Sequence, residues 1–138
     1  MRMVLALVAA AVAFSPALAA DPVTLKAALS GAAEAPAGDP DGTGAATVTI
    51  DSAKGQVCFT LSASGIDAAT MAHIHKGAVG VSGPVAVALD PPATGSSKGC
   101  KAVAADVIAA ILAAPSDYYV NVHNAAFPSG AVRGQLGS

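Results

Sequence analysis

Apolar and polar residues alternate along most of this chain, the period-2 signature of strands with one face turned inward. Residues 23–30, VTLKAALS, predict a first strand. Residues 31–44 then gather Pro36, Gly38, Pro40, Gly42 and Gly44 around Asp39 and Asp41, which is loop chemistry. The β-branched run 45–51, AATVTID, and the run 56–62, QVCFTLS, are joined by Ser52-Ala53-Lys54-Gly55 and predict a hairpin. On its second arm Val57, Phe59 and Leu61 share one face, Cys58 and Thr60 the other.

The next strand contains Met71, His73 and His75 and is interrupted at Gly77. Residues 76–84, KGAVGVSGP, read as a loop, 85–89 as a short strand, and 90–99, DPPATGSSKG, as a second polar loop delivering Cys100. The alternation breaks at 102–114. There Val107, Ile108, Ile111 and Leu112 recur at helical spacing in an alanine-rich segment without a clear N-cap, stopped by Pro115. Strands return at 117–122 and 130–136. The whole predicts an all-β fold, an antiparallel β-sandwich of immunoglobulin-like or superoxide-dismutase-like Greek-key type with one short helix in a connection, and a small Greek-key barrel as the alternative.

Composition narrows the class. Arg2, the apolar run 4–14 and Ala17-Leu18-Ala19 form the tripartite pattern of a secretory signal peptide, so residues 1–20 are expected to be removed and 21–138 to form one domain. No later stretch is long and apolar enough to predict a membrane span. Without Arg2, six Lys and Arg stand against nine Asp and Glu, a scattered net charge near −3 that argues against nucleic acid as a partner. Cys58 and Cys100 are the two cysteines, and export to the periplasm or the extracellular space favours a disulfide between them. Two thiols serving a metal is the competing idea, but their spacing fits no CxxC ligand pair.

All three histidines fall in two segments: His73 and His75 on one strand, and His123 on the strand YYVNVHN. Two imidazoles at i and i+2 project from one face with Cβ atoms about 7 Å apart, close enough to share an ion. If the fold sets His123 opposite them, a small metal site results. Imidazole suits copper and zinc, and a thioether from Met71, in phase with the pair, would shift the preference toward Cu(I). Copper is therefore the expected cofactor, with no organic one. The bland alternative is three ordinary strand histidines bonded to backbone.

Asn121, in phase with His123, is a candidate to orient an imidazole. Arg133 has three candidate roles: anchoring a loop, pairing with a carboxylate such as Asp117, or meeting a bound anion. Tyr118 and Tyr119 straddle their strand, which predicts one in the core and one partly exposed. Asp39 and Asp41 in GDPDG suit a calcium ion on paper, yet a turn with solvated aspartates is the commoner meaning. No nucleophile elbow, phosphate-cradling loop or pair of catalytic carboxylates is found, so no catalytic residue is assigned.

The segments AHIHKG, GPVAVAL, YYVNVHN and PSGAVRGQL, with LSGAAEAP near Leu29, resemble the CHRD family, the domain named after chordin and common in exported bacterial proteins. That resemblance implies an extracellular-type β domain more than an activity. A second likeness, to copper/zinc superoxide dismutase, is carried by His73, His75, His123, Gly130 and Arg133, and lacks counterparts for the zinc-site histidines. It implies a copper-only site. Three functions are therefore expected: a copper-binding exported domain, a copper-only superoxide dismutase-like enzyme, or a metal-free module that contacts an extracellular or envelope protein.

Overall fold

A computed structural model describes residues 9–15 and 20–138. The expected leader falls largely on 1–8 and 16–19, which lie outside the described residues. Among those described, no helix is long and apolar enough to cross a membrane.

Among the described residues, eight strands form one antiparallel sheet: β1 (Val23–Ser30), β2 (Thr43–Asp51), β3 (Gln56–Ser64), β4 (Ala69–Lys76), β5 (Val85–Leu89), β6 (Ser96–Ala102), β7 (Tyr118–Asn124) and β8 (Val132–Gln135). Their spatial order is β5-β4-β7-β8-β1-β2-β3-β6. The sheet wraps around a single core as two halves joined where β8 meets β1, through the pairs Ser30 with Arg133 and Lys26 with Gly137. Its edge strands β5 and β6 approach each other, so the sheet nearly closes into a barrel. The all-β antiparallel fold with one short helix is thus what the alternation anticipates.

The inward face follows the register. Leu25 lies opposite Val48 and Val48 opposite Phe59, and all three are buried. On the other half Ile74 faces Val120, with Val122 beside Val132. Each fully buried aliphatic side chain of this kind contributes about 1.5–3 kcal/mol.

Helix α1 (Ala105–Ala113) lies in the β6–β7 connection and buries Ile108 and Ile111. It has no side-chain cap, and Pro115 opens the 3₁₀ turn that follows it. The helix is shorter than the alanine-rich run suggests because Ala102 is taken into β6, paired with Gln56.

The segment 90–99 departs from expectation. It is a loop only as far as Gly95, and Ser96 onward forms the edge strand β6 along β3. No residue of β6 is a buried hydrophobe, so it lacks the alternation that marks strands. What places it is cross-strand pairing, including Cys58 directly opposite Cys100, and these two form the disulfide. Tyr118 and Tyr119 also depart from expectation, since both are buried. Tyr118 joins the core, whereas Tyr119 points to the outer face and lies beneath the 77–84 loop, its hydroxyl accepting a hydrogen bond from the Gly83 N–H.

Candidate functional site

The outer face of β4, β7 and β8 carries a polar layer set by strand register. Met71 lies opposite His123, His73 opposite Asn121, and His75 opposite Tyr119. Across the next pairing Asn121 lies opposite Arg133 and Tyr119 opposite Gln135. Directly opposed and diagonal residues on one sheet face are near enough to interact, so His73, His75 and His123 meet although 50 residues separate His73 from His123.

One ligand atom from each ring lies within 4.8 Å of the others. His73 Nδ1 stands 3.1 Å from His123 Nε2, and the His73 and His75 ring centroids are 5.2 Å apart. His75 and His123 are 8% and 7% exposed, while His73 is half-buried at the open side.

Backbone carbonyls orient two of the rings. His75 Nδ1 is 2.8 Å from the Gly83 carbonyl and His123 Nδ1 is 2.9 Å from the Pro128 carbonyl. A carbonyl only accepts, so each Nδ1 carries the proton and each Nε2 keeps a lone pair. His123 Nε2 spends its lone pair on His73. His75 Nε2 is buried without a partner. Burial holds the pKa of His73 below the usual imidazole value, reinforced by the neighbouring His123 and His75 rings. Burial also lowers that of His75, against a raising effect of its bond to Gly83. Both rings are therefore neutral, the form that binds cations, at neutral pH.

Loop 77–84 roofs this layer and Arg133 pins it. The guanidinium is 1% exposed, donates to the Val81 and Ala78 carbonyls at 2.8 and 2.7 Å, and sits 3.5 Å from the Tyr119 ring centroid. His75 stacks on the same tyrosine at 4.8 Å. Of the three roles open to Arg133 in the sequence, the structure displays loop anchoring. Asn121 is buried beside His75, close enough to influence its protonation, yet its Oδ1 has no hydrogen-bond partner. Met71 is 48% exposed, on the same face as the histidines but outside their buried cluster.

Glu34 lies in the loop between β1 and β2. It is 7% exposed, and its carboxyl lies against Gly130 within reach of Asn121. Burial raises its pKa to about 7, opposed by the Arg133 charge, by Asn121 and by the Ala35 amide. Its Oε1 has no partner. The only sequence signal was its being the sole glutamate, within a loop of glycines and prolines. Asp39 and Asp41 make a turn in which Asp39 Oδ1 accepts from the Asp41 N–H.

A surface concavity of about 540 Å³ lies elsewhere, on the outer face of β2, β3 and β6, lined by Thr47, Thr60, Ser62, Ser97 and Lys98. It holds no imidazole or carboxylate, so it is not where the candidate metal-ligating side chains gather.

A family model described as CHRD domain matches residues 25–136. No curated protein and no solved structure matches the chain.

Proposed function

The chain belongs to the CHRD domain family, and on that footing we propose that it is an exported binding domain whose His73, His75 and His123 hold one copper ion. The observation that carries the reading is the buried, unpartnered His75 Nε2 beside two further ring nitrogens. An orphaned buried acceptor costs about 1–3 kcal/mol, and a cation at that point gives it a partner. The ligand set is His75 Nε2, His123 Nε2 and His73 Nδ1, the last freed by moving its proton to Nε2 when the ion replaces the His73–His123 hydrogen bond. Two atoms bonded to one ion at about 2 Å each stand at most about 4 Å apart, so the rings close up by less than about 1 Å to engage it.

Three neutral nitrogen donors favour copper over the other divalent first-row ions and also suit its monovalent state. Carbonyl acceptors on the far nitrogens of His75 and His123 are the orienting partners that metal-bound imidazoles use. The half-buried His73 leaves the ion a side open toward solvent, with Met71 at its edge. Met71 is a soft donor within the same row, available to Cu(I) on a change of rotamer.

Binding is favoured over superoxide dismutation by the state of Arg133. A guanidinium enclosed by two carbonyls and a phenol ring is not free to draw an anion to the ion. The disulfide fits an oxidising compartment, consistent with export to the periplasm or beyond and with a protein partner there.

The test loads the purified domain with Cu(I) and Cu(II) and measures bound metal in the wild type, His73→Ala, His75→Ala and His123→Ala. One ion per chain in the wild type and at least tenfold weaker binding in each variant are expected. Equal uptake in all four proteins contradicts the reading.

A further inference from the structure

Glu34 poses a problem of charge. It is the sole acidic side chain among the buried residues described, yet it has no ion-pair partner. Arg133 lies in the same layer but gives its donors to Ala78, Val81 and Gln135. The structure nonetheless makes room for the carboxyl. Gly130 has φ +132°, and a Cβ at that position would occupy the place of the Glu34 carboxylate. The three buried side-chain atoms without partners among the described residues are Glu34 Oε1, Asn121 Oδ1 and His75 Nε2. All three are acceptors, and the Asn121 amide lies within reach of both Glu34 and His75.

A cluster of unpartnered acceptors in one buried layer is a place prepared for positive charge. Three neutral imidazoles supply none of the negative charge that a buried cation needs, and the Arg133 guanidinium makes the deficit larger. Resting on the copper reading above, we propose that Glu34 is the counter-charge of the metal centre, acting across Asn121 to favour Cu(II) over Cu(I). The bound cation draws off the proton that burial favours on the Glu34 carboxyl, which then acts as a positioning and charge-compensating residue, not a ligand. Its attraction scales with the charge of the ion, so it acts on the divalent state about twice as strongly as on the monovalent one.

Competition titrations with Cu(I) and Cu(II) on the intact domain, the Glu34→Gln variant and the Glu34→Asp variant test this, with the unfolding midpoint of each metal-free protein recorded alongside. Glu34→Gln keeps the shape and removes the charge. It is expected to bind Cu(II) about tenfold more weakly while its Cu(I) affinity falls by only about threefold. Glu34→Asp, which keeps the charge, stays closer to wild type in its preference between the two states. A structural role for Glu34 moves both affinities together, and that result, or no change in either, overturns the proposal. Should Glu34→Gln fail to fold, the Glu34→Asp titration decides alone: loss of the Cu(II) preference despite the retained charge overturns it. A wild type that binds neither ion removes the copper reading and this inference with it, whereas intact binding with an unaltered preference removes only the inference.

Discussion

At the scale of single residues, the polar layer makes stability depend on pH in two opposed ways. His73 and His75 have lowered pKa values, so the unfolded chain takes up protons at these positions more readily than the folded one. Their contribution is present above the unfolded value of 6.5 and is lost as pH falls below it. Glu34 runs the other way. Its folded pKa of about 7 lies above the unfolded 4.5, so its contribution is complete below 4.5 and is lost as pH rises through 7. Between pH 5 and 7 the urea midpoints of metal-free Glu34→Gln are therefore expected to rise relative to those of the metal-free wild type, because the variant keeps the histidine contribution and loses the opposing one. Parallel curves for the two proteins would contradict this assignment. Gly130→Ala tests the same packing from the other side. A side chain at φ +132° on top of a carboxylate is expected to cost about 1–3 kcal/mol, read from the same urea experiment. The three histidines were legible from spacing alone, since an HxH pair and a third His exhaust the histidines of the chain. Glu34 was not, because burial of a loop carboxyl depends on which loop folds over which strand.

At the scale of elements, the site depends on loop 77–84 being held down. Arg133 does this from β8, and the loop in turn presents the Gly83 carbonyl that orients His75. Arg133→Met is expected to leave the Ala78 and Val81 carbonyls without their donors, to destabilise the domain by about 3 kcal/mol, and to open residues 77–84 to limited proteolysis. Unchanged protease resistance would show that the loop is held by other contacts. Strands with one apolar face, β1, β2, β3 and β5, were legible because alternation records burial directly. The polar edge strand β6 was not, since pairing with β3 places it without any apolar stripe. Tyr119 was misplaced for a related reason. A roof of loop backbone buries an outer face that, judged by its strand alone, should meet solvent.

At the scale of the molecule, the two halves of the sheet divide the labour. The half built on β2, β3 and β6 carries the disulfide, and the half built on β4, β7 and β8 carries the imidazoles. The bond links residues 42 apart, so replacing Cys58 and Cys100 with alanine is expected to lower stability by up to about 4 kcal/mol. Copper affinity should stay within a few-fold of wild type under conditions where the variant remains folded. The overall class was legible in the alternation and the glycine-rich turns. How the two halves join was not, because the β8–β1 seam rests on few paired residues and on Gly134, where a side chain would meet the Ala28 carbonyl.

The central claim is that imidazoles from β4 and β7 converge on one ion. Crystals of the copper-loaded domain, measured at the copper absorption edge, test it most directly. The account predicts a single anomalous peak about 2 Å from His73 Nδ1, His75 Nε2 and His123 Nε2. A peak elsewhere, or none between these rings at full loading, would contradict it.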